Sequence, residues 1–305
     1  MTAVKSACRW GGMLNRQWRR NSAALQEGSM SIKHIVVQAA GKAEDARRVA
    51  MAVDLANRCE ATLGGVFLEP APPWLFVGGD LAAPAALADL TESHRKAVQT
   101  ASAAARANLE AAAQGKSFEW RQVDGSAPTA LAEVAREADL LFMAGPPLTS
   151  RDGVFAPADA VALTAGAPII AVPETATGTC VGHRVLVAWN GARESARALR
   201  DALPLLQRAA QVDGVIVDHP EAARDGERVL KAFLQRHGCP AINVIRLPAG
   251  GRHASEVILQ HAAHVVQADL IVMGLYGHSR LREFVLGGVS RDMLDDSPIP
   301  LLLSH

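Results

Sequence analysis

Two glycine pairs mark where chemistry is most readily placed in this chain. Gly274-Leu275-Tyr276-Gly277 is followed, after nine residues, by Gly287-Gly288-Val289-Ser290. The first pair follows Leu270-Ile271-Val272-Met273, a run that reads as a buried strand. A loop at the carboxyl end of a parallel strand is where open α/β sheets bind ligands. Glycines there let backbone N–H groups approach phosphate oxygens with no Cβ in the way. A helix beginning near Gly288 would aim free N–H groups and a positive dipole end at the same point. Ser290 could add a hydroxyl. His278 and Arg280, inside the loop, could meet phosphate charge or stand in solvent. Gly-x-x-Gly alone also describes a tight turn, and the spacing leaves both readings open.

Other chemistry-bearing residues form less complete sets. His261 and His264 lie three apart on an expected helix, with His253 upstream. Two histidines on one helix face can hold a metal, but no Cys or carboxylate completes this set, so surface histidines are expected. Ser195 sits in an expected helix outside any Gly-x-Ser-x-Gly elbow, which leaves a serine hydrolase without support. Cys239, before Pro240, reads as a buried or strand-start cysteine rather than a nucleophile. Trp74 and Phe76 either cap a pocket or partner surface or pack within their own loop. Arg282-Glu283 and Arg291-Asp292 read as exposed charges at helix ends. No carboxylate pair, activated nucleophile or Gly-x4-Gly-Lys-Ser/Thr loop is present, so no catalytic residue is assigned.

Composition bounds what must position these residues. A length of 305 with 49% hydrophobic residues suits two domains, each able to fill a core. Lys and Arg number 31, against 31 Asp and Glu, which disfavours nucleic acid as a partner because neutralising phosphates needs clustered positive charge. No apolar run approaches the roughly 18 residues needed to span a bilayer, so no membrane partner is expected. Cys8, Cys59, Cys180 and Cys239 are scattered without a CxxC pair, which fits neither a zinc framework nor a disulfide scaffold and points to a reducing cytoplasm. Residues 1–30 form a separate N-terminal extension. Its basic residues and Trp10 and Trp18 come without a signal-peptide core. The extension is expected to be disordered, a start-site artefact ahead of Met30, or an arm for an anionic surface.

From Ile32 onward, short β-rich runs alternate with helical stretches. Strands are expected at 35–37, 62–68, 118–123, 140–144 and 169–172. Helices are expected at 45–61, up to about 113, at 127–138 and at 158–165. Such alternation gives a parallel sheet with right-handed crossovers and helices on both faces. The pattern then restarts. Arg184-Val185-Leu186-Val187 matches His34-Ile35-Val36-Val37 at an offset of 150. Ala268-Asp269-Leu270-Ile271 matches Ala138-Asp139-Leu140-Leu141 at 130, and Ser297-Pro298-Ile299-Pro300 is set against Ala167-Pro168-Ile169-Ile170 at 130. The reading is therefore an internal duplication, with domains at 31–175 and 182–305.

The Gly-x2-Gly-x9-Gly spacing, the closing Ser297-Pro298-Ile299-Pro300-Leu301-Leu302 and the Val187-Ala188-Trp189-Asn190-Gly191 run together resemble the universal stress protein family, in its tandem two-domain bacterial form. The resemblance covers both copies. It implies two tandem open-sheet Rossmann-like α/β domains, each a five-stranded parallel sheet of order 3-2-1-4-5 with helices on both faces. It further implies that the domains pair through their last strands as an intramolecular pseudo-dimer. Nucleotide-binding members hold ATP across the ends of strands one and four. Carried over, the contacts in the second domain are Ala188, Asn190, Gly274, Gly277, His278, Gly287, Gly288, Val289 and Ser290. ATP, with Mg, is the implied ligand. Two positions depart from the family pattern: the usual Ser or Thr after the third glycine is Gly288, and the acidic position after strand one is Asn190. In the first domain that position is Ala40, and the glycine motif survives only as Gly145-Pro146-Pro147-Leu148. Proline has no N–H to offer phosphate, so the first domain reads as degenerate.

The leading function is a cytoplasmic stress-response protein that binds an adenine nucleotide through its second domain, with unidentified protein partners and a homodimer expected. Slow ATP hydrolysis stays open. The alternative is an interaction scaffold of the same fold with no nucleotide. An adenylyl-transferring enzyme would need an HxGH or Ser-Gly-Gly-x-Asp signature after strand one, which is absent.

Overall fold

The computed structural model describes residues 31–43, 45–70, 72, 84–124, 127–145, 157–217, 225–275 and 288–305. The N-terminal extension, Trp74, Phe76, Pro146, Pro147, Leu148, Gly277, His278, Arg280, Arg282, Glu283 and Gly287 lie outside them.

Short runs, mostly apolar, form β1 (His34–Gln38), β2 (Thr62–Leu68), the more polar β3 (Glu119–Val123), β4 (Leu140–Ala144) and β5 (Ile169–Val172), and then β6 (Arg184–Ala188), β7 (Gln211–Val217), β8 (Ile242–Leu247), β9 (Leu270–Gly274) and β10 (Leu301–Ser304). They join in one ten-stranded sheet of order β3-β2-β1-β4-β5-β10-β9-β6-β7-β8. Each half has the 3-2-1-4-5 order in parallel register, and the halves meet where β10 runs antiparallel to β5, Leu302 opposite Ile170. The pairing of two parallel sheets through their last strands is therefore present.

The helices of the first half are α1 (Asp45–Cys59), α2 (Pro84–Ala113), α3 (Ala127–Ala135) and α4 (Pro157–Ala165). Those of the second are α5 (Arg193–Asp201), the single turn α6 (Leu203–Leu206), α7 (Gly226–Arg236), α8 (Ala254–His261) and α9 (Gly288–Asp296). They bury both faces of the sheet. Ile35, Val37 and Phe142 share one apolar layer with Leu55 of α1, Leu199 of α5 and Leu234 of α7. Val36 and Leu141 point the other way, into a layer with Leu131 of α3, Val161 of α4 and Met293 of α9. Double-sided burial is why the inner strands read as continuous apolar runs, whereas the outermost β3 and β8 are largely exposed and mixed in sequence. No helix among the described residues is long and apolar enough to cross a membrane.

Three details differ from the sequence reading. Helix α1 stops at Cys59, because Glu60 takes a left-handed φ of 55° and the Ala61 N–H turns back to the Ala56 carbonyl at 2.9 Å. Helix α3 stops at Ala135 rather than 138, closed by turns that lead directly into the Asp139 clasp described below. The closing proline match slips by two residues. Pro168 O accepts the Leu141 N–H at 3.3 Å and Pro300 O accepts the Ile271 N–H at 3.0 Å, so Pro168 answers to Pro300 rather than Pro298. The repeat in the last strand is set by sheet register, which a shared Pro-Ile pair two residues upstream does not report.

The duplicated Ala-Asp pair has a structural job in both halves. The Asp139 carboxylate accepts the Lys33 and His34 N–H groups at 2.7 and 3.0 Å. The Asp269 carboxylate accepts Gly182, His183 and Arg184 N–H groups at 2.8, 3.0 and 3.2 Å. Each clasp ties the residues leading into the first strand of a half to the start of its fourth. Burial pushes the Asp269 carboxyl up to about 6, against the lowering effect of those three amides and of Arg58.

Candidate functional site

The carboxyl ends of β6 and β9, the central strands of the second half, adjoin the start of α5. Trp189 continues the β6 edge by donating its N–H to Val215 O at 2.9 Å, which leaves Ala188 and Asn190 half-buried at the rim. The chain then turns through Gly191, whose φ of 79° belongs to the left-handed region. Asn190 Oδ1 accepts the Ala192 N–H at 3.0 Å and Ser195 Oγ donates to Ala192 O at 2.8 Å. Ala192 is the cap residue of α5 and brings no side-chain acceptor to the amides of the first turn. Those amides carry the positive end of the helix dipole. Glu194, in that turn, is buried and held by the exposed Arg193 at 3.0 Å, so its charge is compensated at the rim.

Gly274 ends β9 against this turn. A Cβ there would lie 2.3 Å from the Glu194 carbonyl carbon and 2.4 Å from the Ser195 nitrogen. The glycine is required because helix backbone occupies the space a side chain would need. Leu275 follows, fully buried and pinned by its N–H to Ser304 O at 2.9 Å, with His305 Nδ1 3.2 Å from its carbonyl. The glycine loop thus leaves the sheet from a fixed point.

Gly288, Val289 and Ser290 form the first turn of α9. A Cβ on Gly288 would meet open space, Val289 is exposed and Ser290 is buried. Asp292 fixes the pose of this helix. It accepts from Ser255 Oγ at 3.0 Å and lies 3.6 Å from His253 Nδ1, which ties the start of α9 to the start of α8. Asp292 is thus engaged between helices rather than an idle charge at a helix end. Parallel topology brings the amino ends of α5, α8 and α9 to the carboxyl edge of the sheet, since each helix follows a strand of the second half. Asn190 and Gly274 are brought together at the α5 start, and Gly288, Val289 and Ser290 form a separate helix start on the same edge.

The histidines do not assemble. His261 is buried with its Nε2 unpartnered among the described residues, whereas His264 is exposed one π-type turn later. Burial lowers the affinity of His261 for a proton. The expected pair of surface histidines is corrected accordingly. The reason is the π-type turn at Ala262–Val266, which rotates the helix face within one turn. Ser195 is buried and bonded within its helix, and Cys239 is buried, its thiol pushed up to about 11.

The same place in the first half is built differently. Asp45, at the position of Ser195 in the repeat, turns its Oδ2 onto the Ala40 and Lys42 N–H groups at 2.7 and 3.0 Å. Its Oδ1 pairs with Arg48, which also donates to Gln38 O at 2.8 Å. Both side chains are almost fully buried. Helix α2 closes over the turn, since a Cβ on Gly41 would lie 2.7 Å from Ala101 O. Register also places Ala144, not Gly145, opposite Gly274. Gly145 N bonds Val172 O as Leu275 N bonds Ser304 O, so the first half has no glycine at the position where the helix start approaches. Sequence reading missed the Asp45–Arg48 pair because charges at i and i+3 on a helix look like a solvated face. The duplicated Ala-Asp pair was visible as a repeat, and its role was not.

A twice-repeated doubly wound parallel sheet with helix starts gathered at its carboxyl edge defines a Rossmann-like α/β protein. The family model of the universal stress protein family matches residues 182–305. Across both halves, the chain is similar to a universal stress protein from Archaeoglobus fulgidus DSM 4304, with a TM-score of 0.67 and 14% identity over 90% of this chain and 96% of that one. It is also similar to a functionally unknown protein from Pseudomonas aeruginosa PAO1, with a TM-score of 0.53 and 16% identity over 90% and 92%. At these identities the two structures show a shared fold over 90% of this chain. No curated protein matches the sequence.

Proposed function

We propose that the second half binds one adenine nucleotide, ATP with Mg, at its carboxyl edge, while the first half binds none. The observation that carries this reading is that, among the described residues, no carboxylate bonds the amides of the turn after β6, where Glu194 is instead paired with Arg193. In the first half the Asp45 side chain already neutralises the turn amides from within. In the second half Ser195 takes that position and bonds its own helix instead, so the uncapped start of α5 is left for an external anion. The family match over 182–305 supports the same ligand class. Gly274, Gly277, Gly287, Gly288 and Ser290 supply the phosphate side of the site, with Val289 and His278 beside them, and Ala188 and Asn190 supply the strand-one side. The chain acts as a cytoplasmic stress-response protein whose occupancy changes what its protein partners meet. It acts as a homodimer, for which the outermost strands β3 and β8 are available.

The test is to denature the purified protein, identify released nucleotide by mass spectrometry and titrate ATP into the stripped chain by calorimetry. One adenine nucleotide per chain is expected. Gly277→Asp, which sets charge and bulk against the phosphates, and Ser195→Asp, which supplies the internal carboxylate of the first half, should each abolish the heat of binding with the fold retained. Absence of nucleotide together with no heat at millimolar ATP would replace this reading with the scaffold.

A further inference from the structure

A second cluster lies away from this edge, where the chain crosses from one half to the other. Asp54 of α1, Cys180 and His183 bring a carboxylate oxygen, a sulfur and a ring nitrogen within 4.8 Å of one another. We propose that these three side chains form a zinc site joining the two halves, with the fourth position held by water.

The donor set suits that ion. Thiolate, imidazole and carboxylate together match the borderline softness of zinc, and three protein ligands plus water is a common zinc arrangement. Tetrahedral zinc wants its ligand atoms about 3.5 Å apart, a contraction that side-chain rotation supplies. The backbone under each ligand is already fixed. His183 and Gly182 donate their N–H groups to Asp269, and Arg58 donates to Val181 O, which anchors fully buried Val181 beside Cys180. Arg58 Nε also bonds Asp54 Oδ2 at 2.8 Å, orienting that carboxylate. The guanidinium opposes the ion's charge. The Asp54 carboxylate and the Cys180 thiolate outweigh it. Cys180 is exposed and Asp54 is one-third exposed, so solvent and metal reach the cluster. On binding, the Cys180 S–H bond breaks, its proton passes to solvent, and the sulfur electron pair forms the S–Zn bond.

Binding is measured on the full chain, stripped with chelator, by zinc calorimetry and by cobalt(II) absorption. The expected result is one equivalent of metal per chain and a thiolate-to-cobalt charge-transfer band. Cys180→Ser should remove that band, and His183→Ala should weaken zinc by more than the roughly 10–100-fold that loss of a supporting group costs. His264→Ala, which alters an exposed histidine of the second half, should change neither. Circular dichroism identifies a variant that has not folded, and Asp54→Asn then gives an independent reading of the same site. No stoichiometric metal, a cobalt complex without the band, or a band retained in Cys180→Ser would each overturn the proposal.

Discussion

The turn after β1 and the turn after β6 occupy the same place in the repeat and reach opposite solutions to one problem. Both must satisfy the amides where a strand passes into a helix start. The first does so internally, with a buried aspartate held by a buried arginine and a long helix closed over it. In the second, Asn190 accepts one amide, Ser195 donates to a carbonyl, the nearby Glu194 is paired with Arg193, and a glycine stands at the end of β9. The first half thus supplies an anion to its turn amides from its own chain, and the second does not.

That contrast predicts unequal responses to matched substitutions. Asp45→Ala strands the buried Arg48 charge and two amides, and should lower stability by about 3–5 kcal/mol in urea unfolding. Ser195→Ala, at the same place in the repeat, loses one hydrogen bond and should lower it by about 1 kcal/mol. Equal effects would mean that the two turns are built alike after all. Next comes the glycine at the end of the fourth strand. Gly274→Ala forces a Cβ onto helix backbone and should cost about 1–3 kcal/mol. The reciprocal Ala144→Gly removes a methyl from a strand end and should cost only about 0.5–1 kcal/mol.

The smallest difference concerns acid. His261 is buried, and burial lowers its folded-state pKa below the ordinary 6.5, as it does more strongly for His183, lowered to about 4. Asp213, which favours the charged His261 ring, offsets only part of the lowering there. The unfolded chain then takes up this proton more readily than the folded one, so the stability from a neutral His261 is present above about pH 6.5 and is lost as pH falls. His261→Leu should therefore lose less stability than the parent between pH 7 and pH 5 in denaturant midpoints. An unchanged pH response would place the sensitivity elsewhere.

How much of this was readable beforehand depended on what each residue reports. Strands buried on both faces announce themselves, and the edges of β2, β4 and β5 follow the apolar runs to the residue. The duplication was equally plain, because Asp139 and Asp269 must stay to hold the residues ahead of each first strand. The two-residue slip at Pro300 was hidden, since register lives in hydrogen bonds between distant strands. At the site, the glycines were visible, yet what Gly274 makes room for is a helix start some eighty residues earlier in the chain, which local spacing does not encode. Asp45 and Arg48 stayed concealed for the opposite reason. Their spacing is ordinary, and only burial makes them a lock.

The seam between β5 and β10 carries a consequence for how the molecule comes into being. Strand β5 is synthesised about 130 residues before the strand that covers it. While the second half is still being made, the first half presents a bare edge of Ile169, Ile170, Ala171 and Val172, with unpaired amides and no charge to deter a neighbour. Nascent chains on one messenger would meet edge to edge at this strand, and the antiparallel partner that prevents it arrives last.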